Sequence, residues 1–239
     1  MLYIYIGLAV LILIGTSIAS SASASFLDAI KKRGDTPSSI NMSAVTFAHT
    51  VIYDKQLGIR VVRTEGKFTD YYSSRNKLIA ISDELCDSKT IVAISITAHE
   101  LGHAIADHQH SATFTLHQIL AKTVYYLNIA FYIILVAAIA LLIAPVAHFW
   151  FLVLFYIMLG IIAISFLFKF ITVSNEKLAS RIGVNLLREY GATSKEIRAA
   201  KKIYRAAAIT YVGAIFMPFV KIWRFFLFII HNTIGKLFR

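Results

Sequence analysis

The sequence contains little of what a soluble or disulfide-bonded domain needs. It has a single cysteine, Cys86, which excludes an intrachain disulfide and a zinc cluster built from cysteine ligands. Charged residues make up only 15% of the 239 residues, whereas about 25% is usual in soluble domains. With 58% hydrophobic residues, the composition excludes a purely soluble globule and a disordered chain.

Charge is absent from the first 27 residues. Within them, residues 2–19 form an apolar run of 18, which is close to the length that spans a bilayer. The sequence Ser-Ala-Ser-Ala-Ser at 21–25 resembles a signal-peptide cleavage region, but the run is long for a signal peptide and no Lys or Arg precedes it. We therefore favour a retained transmembrane anchor over residues 1–25 rather than a cleaved signal.

Charge is also absent from residues 123–168. One helix of that length would measure about 69 Å, twice the thickness of a hydrocarbon core. The stretch should therefore turn, and Pro145 marks the place because proline cannot continue a helix. We predict a transmembrane helical hairpin with limbs at about 124–145 and 149–170, flanked by interfacial aromatic residues. These are Tyr125, Tyr126, Phe149 and Trp150.

Acidic residues are scarce, with 13 Asp and Glu against 24 Lys and Arg and a net charge of +11. Residues 26–122 are nearly neutral, whereas the segment from 174 to the end holds 12 basic and 3 acidic residues. Because basic residues follow the membrane segments, the positive-inside rule places both polar stretches on the cytoplasmic side, where the leaflet is anionic. No nucleic-acid-binding pattern accompanies the charge, so we expect no nucleic-acid partner.

The first polar stretch is predicted to mix helix and strand. Residues 40–56 are predicted to form a short helix, and residues 58–64 and 77–82 to form strands joined by a connection at 66–76. A long helix should begin near Thr90, with Asp87 or Ser88 as its N-cap. From residue 206 onward the chain is apolar again but interrupted by proline and basic residues, which fits a kinked span or an interfacial helix.

The long helix contains His99-Glu100-Leu101-Gly102-His103, which is the pattern H-E-x-x-H. Residues four apart lie on one face of a helix, so both imidazoles can bind one zinc ion. Glu100 can then act as general base and later as proton donor in amide hydrolysis. The preceding strands add a surface on which an extended peptide can bind by strand addition.

A catalytic zinc needs a third protein ligand. The histidines that follow fit poorly, because the metzincin pattern requires Gly and His where this chain has Ala106 and Gln109. If the helix continues, His110 lies about 10 Å beyond His103. His108, His110 and His117 are therefore expected to be polar residues near the membrane boundary.

The alternative third ligand is a glutamate on a later helix. Glu176 is the first acidic residue after the hairpin, and the small residues Ala179 and Ser180 one turn on would permit close approach to the zinc helix. Glu189 and Glu196 lie among Arg and Lys and are expected to be ordinary exposed charges.

At these residues the chain resembles the YugP-type neutral zinc metallopeptidases of membranes. The matching stretches are 69–76, 98–105, 176–181 and 206–212. The layout also resembles the HtpX and CAAX prenyl protease group, in which H-E-x-x-H, a membrane hairpin and a later E-x-x-A-(D/S) follow in this order. The resemblance implies zinc ligation by His99, His103 and Glu176, with Glu100 catalytic. This chain has Ser180 where the broader group usually has Asp, which leaves a supporting role for that position open.

Four further residues could have roles around a zinc ion. Asp107 could accept a hydrogen bond from a zinc-bound histidine, although simple exposure is favoured. Tyr71, Tyr72 and Tyr211 could stabilise an oxyanion, although aromatic packing is favoured for each.

We therefore predict a mainly α-helical membrane protein around a zincin-like α+β catalytic portion. Its expected parts are the anchor 1–25, the catalytic part 26–122, the hairpin 123–172, a helical part 173–205 with the third ligand, and an apolar membrane-associated segment 206–239. The expected function is a zinc metalloendopeptidase that cleaves unfolded or membrane-associated proteins at the cytoplasmic face of a bacterial inner membrane.

Two other functions stay open from the sequence. One is a non-enzymatic membrane scaffold with a structural zinc site, which would carry the same ligands. The other is an intramembrane protease of the site-2 type, whose third ligand is an Asp within a membrane helix. The two charge-free stretches of this chain contain no Asp, which makes the latter less favoured.

Overall fold

The structure is a computed structural model that describes residues 34–67, 69–143 and 148–214, with residues 13, 17, 20–21, 24–28 and 30–32. Most of the predicted N-terminal anchor lies outside the described residues. So do the predicted hairpin turn at Pro145 and the predicted C-terminal segment beyond residue 214.

Between residues 34 and 110, the described part of the chain contains three helices and three strands. In chain order they are α1 Ala44–Asp54, β1 Arg60–Thr64, β2 Tyr71–Ser73, β3 Leu78–Ser82, α2 Asp83–Cys86 and α3 Ile91–His108. The predicted helix and two strands are confirmed to within a few residues. The predicted connection at 66–76 is wrong in part, because it contains β2. The N-cap of α3 is Thr90, whose side chain accepts a hydrogen bond from the Ala93 N–H, and not Asp87 or Ser88.

The three strands form one sheet in the order β1-β3-β2. β1 runs parallel to β3, and β2 runs antiparallel to it. The central strand is the buried one, with Ile79 and Ile81 inaccessible to solvent, and it packs with α1 and α3 through Phe47 and Ile94. β2 is left as an edge strand beside α3, which is the helix that carries the two histidines.

Three long helices follow within the described residues up to 214, and they account for most of the helical content described. They are α4 Ala112–Ile143, α5 His148–Glu189 and α6 Ser194–Ala214. The ranges Ala112–Leu141 and Phe149–Glu189 are long and apolar enough to cross a membrane. Only 17% and 6% of their most apolar windows are buried, unlike the core helix of a soluble protein. α5 is continuous through residue 173, so the second limb of the predicted hairpin and the helical part predicted to follow it belong to one helix.

Glu196 anchors the start of α6, and the prediction that it is an ordinary exposed charge is wrong. Its carboxylate accepts hydrogen bonds from Thr193 N and Oγ1 and from Ser39 N and Oγ. Glu196 N in turn donates to Thr193 Oγ1, which completes a capping box. Only 8% of Glu196 is exposed. The residue therefore joins the chain before α1 to the start of α6.

Replacing Glu196 should lower stability at neutral pH and leave it unchanged in strong acid. Burial alone would raise the pKa of this carboxyl, but hydrogen bonds from Ser39 and Thr193 lower it from 4.5 to about 2. A carboxyl group whose pKa is lower in the folded state than in the unfolded state stabilises the fold when the pH is above the unfolded-state pKa. That stabilisation is lost as the pH falls towards the folded-state pKa. We expect Glu196→Gln to cost about 1–2 kcal/mol at pH 7, with the difference closing between pH 4.5 and about 2.

Thermal unfolding of the detergent-purified chain across this pH range would measure the effect. The exposed Glu189 offers the matched control Glu189→Gln. Equal losses of stability for the two variants at pH 7 would contradict the anchoring role of Glu196.

Candidate metal centre

His99 and His103 project from one face of α3. They lie four residues apart, and their ring centroids are 4.9 Å apart with the rings nearly perpendicular. The helix around them is apolar and buried, from Ile91 through Ala106 with few exceptions. α3 is therefore fixed on most of its circumference, and the orientation of the two imidazoles is fixed with it.

Glu176 reaches both histidines from α5. Its Oε2 lies 3.1 Å from His99 Nε2, and its Oε1 lies 3.6 Å from His103 Nε2. One ligand atom from each of the three residues can be chosen so that all lie within 4.8 Å of one another. Glu176 and His103 are each 9% exposed. A buried carboxylate facing two imidazoles is a site that can hold a cation.

A close crossing of α3 and α5 brings the three side chains together. A Cβ atom at Gly102 would overlap the backbone carbonyl oxygen of Ala179. One turn further, a Cβ at Gly183 would lie 2.9 Å from the carbonyl oxygen of Ala98. Each helix thus offers a glycine where the other presents its backbone. The predicted close approach at Ala179 agrees with this crossing.

Adding a methyl group at Gly102 should separate the two helices. Alanine favours a helix over glycine by about 1 kcal/mol, but overpacking a rigid contact costs about 1–3 kcal/mol or more. We expect Gly102→Ala to lower both the melting temperature and the zinc affinity, because Glu176 would move away from the histidines. Thermal unfolding and a zinc titration would measure the two effects.

Gly160 supplies the control for this substitution. It is also helical, but no heavy atom lies within 4 Å of a Cβ placed there. Gly160→Ala should leave stability and zinc affinity unchanged or slightly improved. If Gly102→Ala behaved like Gly160→Ala, the helix crossing would not be what holds the centre together.

The ligand set fits zinc. Zn²⁺ binds histidine nitrogen and carboxylate oxygen at about 2.0–2.2 Å, so neighbouring ligand atoms in a tetrahedral site lie about 3.3–3.4 Å apart. The N–O distances of 3.1 and 3.6 Å bracket this value. Two imidazoles and one carboxylate are also the ligands that catalytic zinc sites of the His₂Glu type use, with a fourth position open.

Ser180 orients His99. Its Oγ lies 3.3 Å from His99 Nδ1, on the opposite side of the ring from Glu176. If His99 Nε2 faces a metal ion, Nδ1 carries the ring proton and donates a hydrogen bond to Ser180 Oγ. A hydroxyl at this position is thus placed to accept that hydrogen bond and to hold the ring of a histidine that would bind a metal.

Glu100 lies beside the cluster and is held by the edge strand. Its Oε2 accepts a hydrogen bond of 2.9 Å from the backbone N–H of Tyr72 in β2. Burial raises the pKa of Glu100 to about 7, against the lowering effect of His103. A bound dication would lower this pKa again. With its pKa lowered in this way, the carboxylate would be ionised at neutral pH and able to accept a proton.

A pocket of about 190 Å³ opens onto the cluster and includes two residues that sequence reasoning missed. Asp70 lines it and accepts hydrogen bonds from Ser82 N and Oγ. Tyr204 lines it from α6, its ring centroid 5.3 Å from that of His99 and its hydroxyl donating to Ser95 O at 2.7 Å. Asp70 belongs to a stretch that carries the family resemblance, whereas nothing local marks Tyr204.

His108, His110 and His117 lie outside the described cluster. α3 ends at His108 rather than continuing, and His110 adopts a left-handed backbone with φ of 50°. Both are exposed. His117, on α4, stacks on Phe168 of α5 with centroids 5.3 Å apart. The described cluster comprises His99, His103 and Glu176, and the expectation that none of His108, His110 and His117 is a ligand stays a prediction.

Asp107 holds the β2–β3 hairpin against α3, and the prediction that it is simply exposed is wrong. Its Oδ2 accepts hydrogen bonds from the Tyr72 hydroxyl, from Ser74 Oγ and from Lys77 Nζ. Asp107 therefore accepts hydrogen bonds from these partners and not from His99 or His103. Tyr72 contributes its backbone N–H to Glu100 while its hydroxyl is committed to Asp107. Tyr71 is exposed, and the side chain of Tyr211 lies outside the described part.

The fold and the cluster define a helical protein with a candidate metal centre of two histidines and one glutamate. The chain matches the family described as "Putative neutral zinc metallopeptidase" over residues 7–230. It belongs to that family, as the sequence resemblance predicted. Comparison with curated proteins found no match, and comparison with solved structures found none.

Proposed function

We propose that the protein is a membrane-bound zinc metalloendopeptidase. The observation that carries the proposal is the convergence of His99, His103 and Glu176 around one point, with Glu100 lining the same pocket as His99 and Glu176. Membership of a zinc metallopeptidase family supports the same reaction.

Zinc would be held by Nε2 of both histidines and by the carboxylate of Glu176. When bound, zinc supplies a Lewis acid that polarises a peptide carbonyl and makes a water molecule more acidic. Ser180 would keep the His99 ring in the required orientation and tautomer. The close crossing of α3 and α5 would keep Glu176 in place without rearrangement.

Glu100 is the residue we assign to proton transfer. With Oε2 fixed by the Tyr72 N–H, its Oε1 is free to take a proton from the attacking water. The same carboxyl then donates that proton to the departing amine, which completes hydrolysis of the peptide bond. β2, whose outer edge carries no strand in the described part of the chain, offers backbone groups for an extended substrate.

Membrane placement forms part of the proposal. The exposed apolar surface of α4 and α5 is too extensive to face water, and a bilayer would cover it. Basic residues near the hairpin would then contact an anionic cytoplasmic leaflet, and the catalytic part would lie at the cytoplasmic face of a bacterial inner membrane. Unfolded or membrane-associated proteins are the substrates such a position favours, and nucleic acid is not an expected partner.

Removing the metal should abolish cleavage, and zinc should restore it. We expect the detergent-purified chain to cleave an unfolded protein such as casein, to lose this activity when dialysed against a chelator, and to regain it with one equivalent of Zn²⁺. Peptide fragments resolved by mass spectrometry would measure the effect. Mg²⁺ should not restore activity, because it prefers six oxygen ligands in octahedral geometry.

Two results would contradict the proposal. Cleavage that survives complete metal removal would show another mechanism or a contaminating protease. Stoichiometric zinc binding with no cleavage of any unfolded or membrane substrate would instead favour a scaffold with a structural zinc site.

A further inference from the structure

A cationic groove lies between α5 and α6. It has a volume of about 500 Å³, and five exposed basic side chains line it. They are Lys177, Arg181, Arg188, Lys201 and Arg205. No Asp or Glu lines the groove among the described residues. Such a cleft concentrates positive potential and attracts negatively charged ligands.

The charge of this groove is not neutralised by the protein itself. Within the described part of the chain, the ion pairs of Lys and Arg involve other residues. Arg188 donates to the amide oxygen of Asn185, not to a carboxylate. The five cations are therefore available to a ligand.

The groove adjoins the metal centre. Ser180 lines it and lies 3.3 Å from His99 Nδ1. Tyr204 lines both the groove and the pocket at the metal centre. A chain lying in the groove would thus be one side chain away from the reacting groups.

The dimensions suit a polypeptide better than a lipid headgroup. Lys177 and Arg188 are 11 residues apart on α5, about 16 Å along the helix, which an extended peptide covers with about five residues. Arg188 also lies about 27 Å of helix beyond residue 170, the predicted end of the hairpin. The headgroup layer is only about 5–8 Å deep on each side, so the far end of the groove is beyond it.

We propose that this groove binds an acidic segment of the substrate, so that the enzyme prefers polypeptides with a cluster of Asp or Glu flanking the cleaved region. The inference rests on the proposed peptidase function and names its substrate class. The groove supplies charge recognition, while the metal centre supplies the chemistry.

Binding of labelled peptides tests the groove independently of catalysis. The probes share one apolar core and carry a flank of four Glu, four Gln or four Lys, placed before the core in one set and after it in another. Fluorescence anisotropy would measure their affinity for the full-length, zinc-loaded Glu100→Gln protein in detergent. We expect one Glu-flanked probe to bind at least about tenfold tighter than its Gln counterpart at low salt, with the difference shrinking in 0.5 M NaCl.

Two double variants that remove the same amount of charge test whether the preference for the Glu-flanked probe arises in the groove. Arg181→Gln with Arg205→Gln removes two groove cations and should bring the Glu-to-Gln affinity ratio close to one. Lys195→Gln with Lys202→Gln removes two cations that line a different cavity and should keep the wild-type ratio. Zinc content and elution volume would confirm that both variants are folded.

The inference would be overturned by equal binding of the Glu and Gln probes, or by a preference that survives loss of both arginines. Arginine-dependent binding to phosphatidylglycerol vesicles without binding of the acidic probe would also overturn it, because the groove would then serve lipid. A Glu preference in binding, together with no cleavage of any probe by the wild-type chain, would support the groove and contradict the peptidase.

Discussion

Glu100→Gln should abolish peptide cleavage while leaving the metal in place. The amide retains the size of the carboxyl group and can still pair with β2, but it cannot accept a proton from water. General acid–base catalysis by one side chain contributes about 10²–10⁴-fold, and here one group serves both steps. We therefore expect kcat to fall by about 10³-fold or more, with zinc stoichiometry unchanged, in a cleavage assay paired with metal analysis.

A conservative control separates this effect from a general loss of negative charge. Glu65 is an exposed glutamate between β1 and β2, and Glu65→Gln should retain the wild-type rate. Substantial cleavage by Glu100→Gln would show that another group moves the proton. Loss of zinc from the same variant would instead place Glu100 among the ligands.

Glu176→Gln should release the metal. The substitution keeps the shape of the side chain but replaces an anionic oxygen donor, and the two imidazoles then bind alone. Mutating groups that merely support a ligand costs about 10–100-fold in metal affinity, so loss of a ligand should cost more than about 100-fold. Competition with a chromophoric chelator would measure the zinc affinity, and cleavage should fall with it.

Glu189 provides the comparison on the same helix. It lies 13 residues further along α5, is exposed, and pairs with Lys55. Glu189→Gln should bind zinc and cleave substrate like the wild type. Full zinc affinity in Glu176→Gln would remove Glu176 from the ligand set.

The sequence alone predicts the two histidines and Glu100, because four-residue spacing on a helix determines which side chains share a face. It also makes Glu176 the leading candidate, since only three acidic residues follow Asp107. The crossing that brings Glu176 to the histidines depends on Gly102 and Gly183 meeting the backbone of another helix. The sequence shows that small residues are present, but it does not show which residue of another helix each of them contacts.

Two of the wrong predictions concern charged residues, Asp107 and Glu196, and for Asp107 the partners are distant in sequence. Asp107 accepts hydrogen bonds from side chains of the β2–β3 hairpin some 30 residues before it, which its helical neighbours do not reveal. Glu196 did carry a local signal, because Thr193-x-x-Glu196 is a capping box. β2 escaped prediction because three residues are too few to show an alternating pattern.

The most direct test of the account is the zinc environment itself, measured by X-ray absorption on the purified, zinc-loaded chain. We predict one zinc per chain, with only nitrogen and oxygen ligands at about 2.0–2.2 Å and multiple scattering from two imidazoles. The signal should be lost or altered in Glu176→Gln and retained in Glu189→Gln. A sulfur ligand, a third imidazole, or a spectrum unchanged by Glu176→Gln would contradict a centre formed by His99, His103 and Glu176.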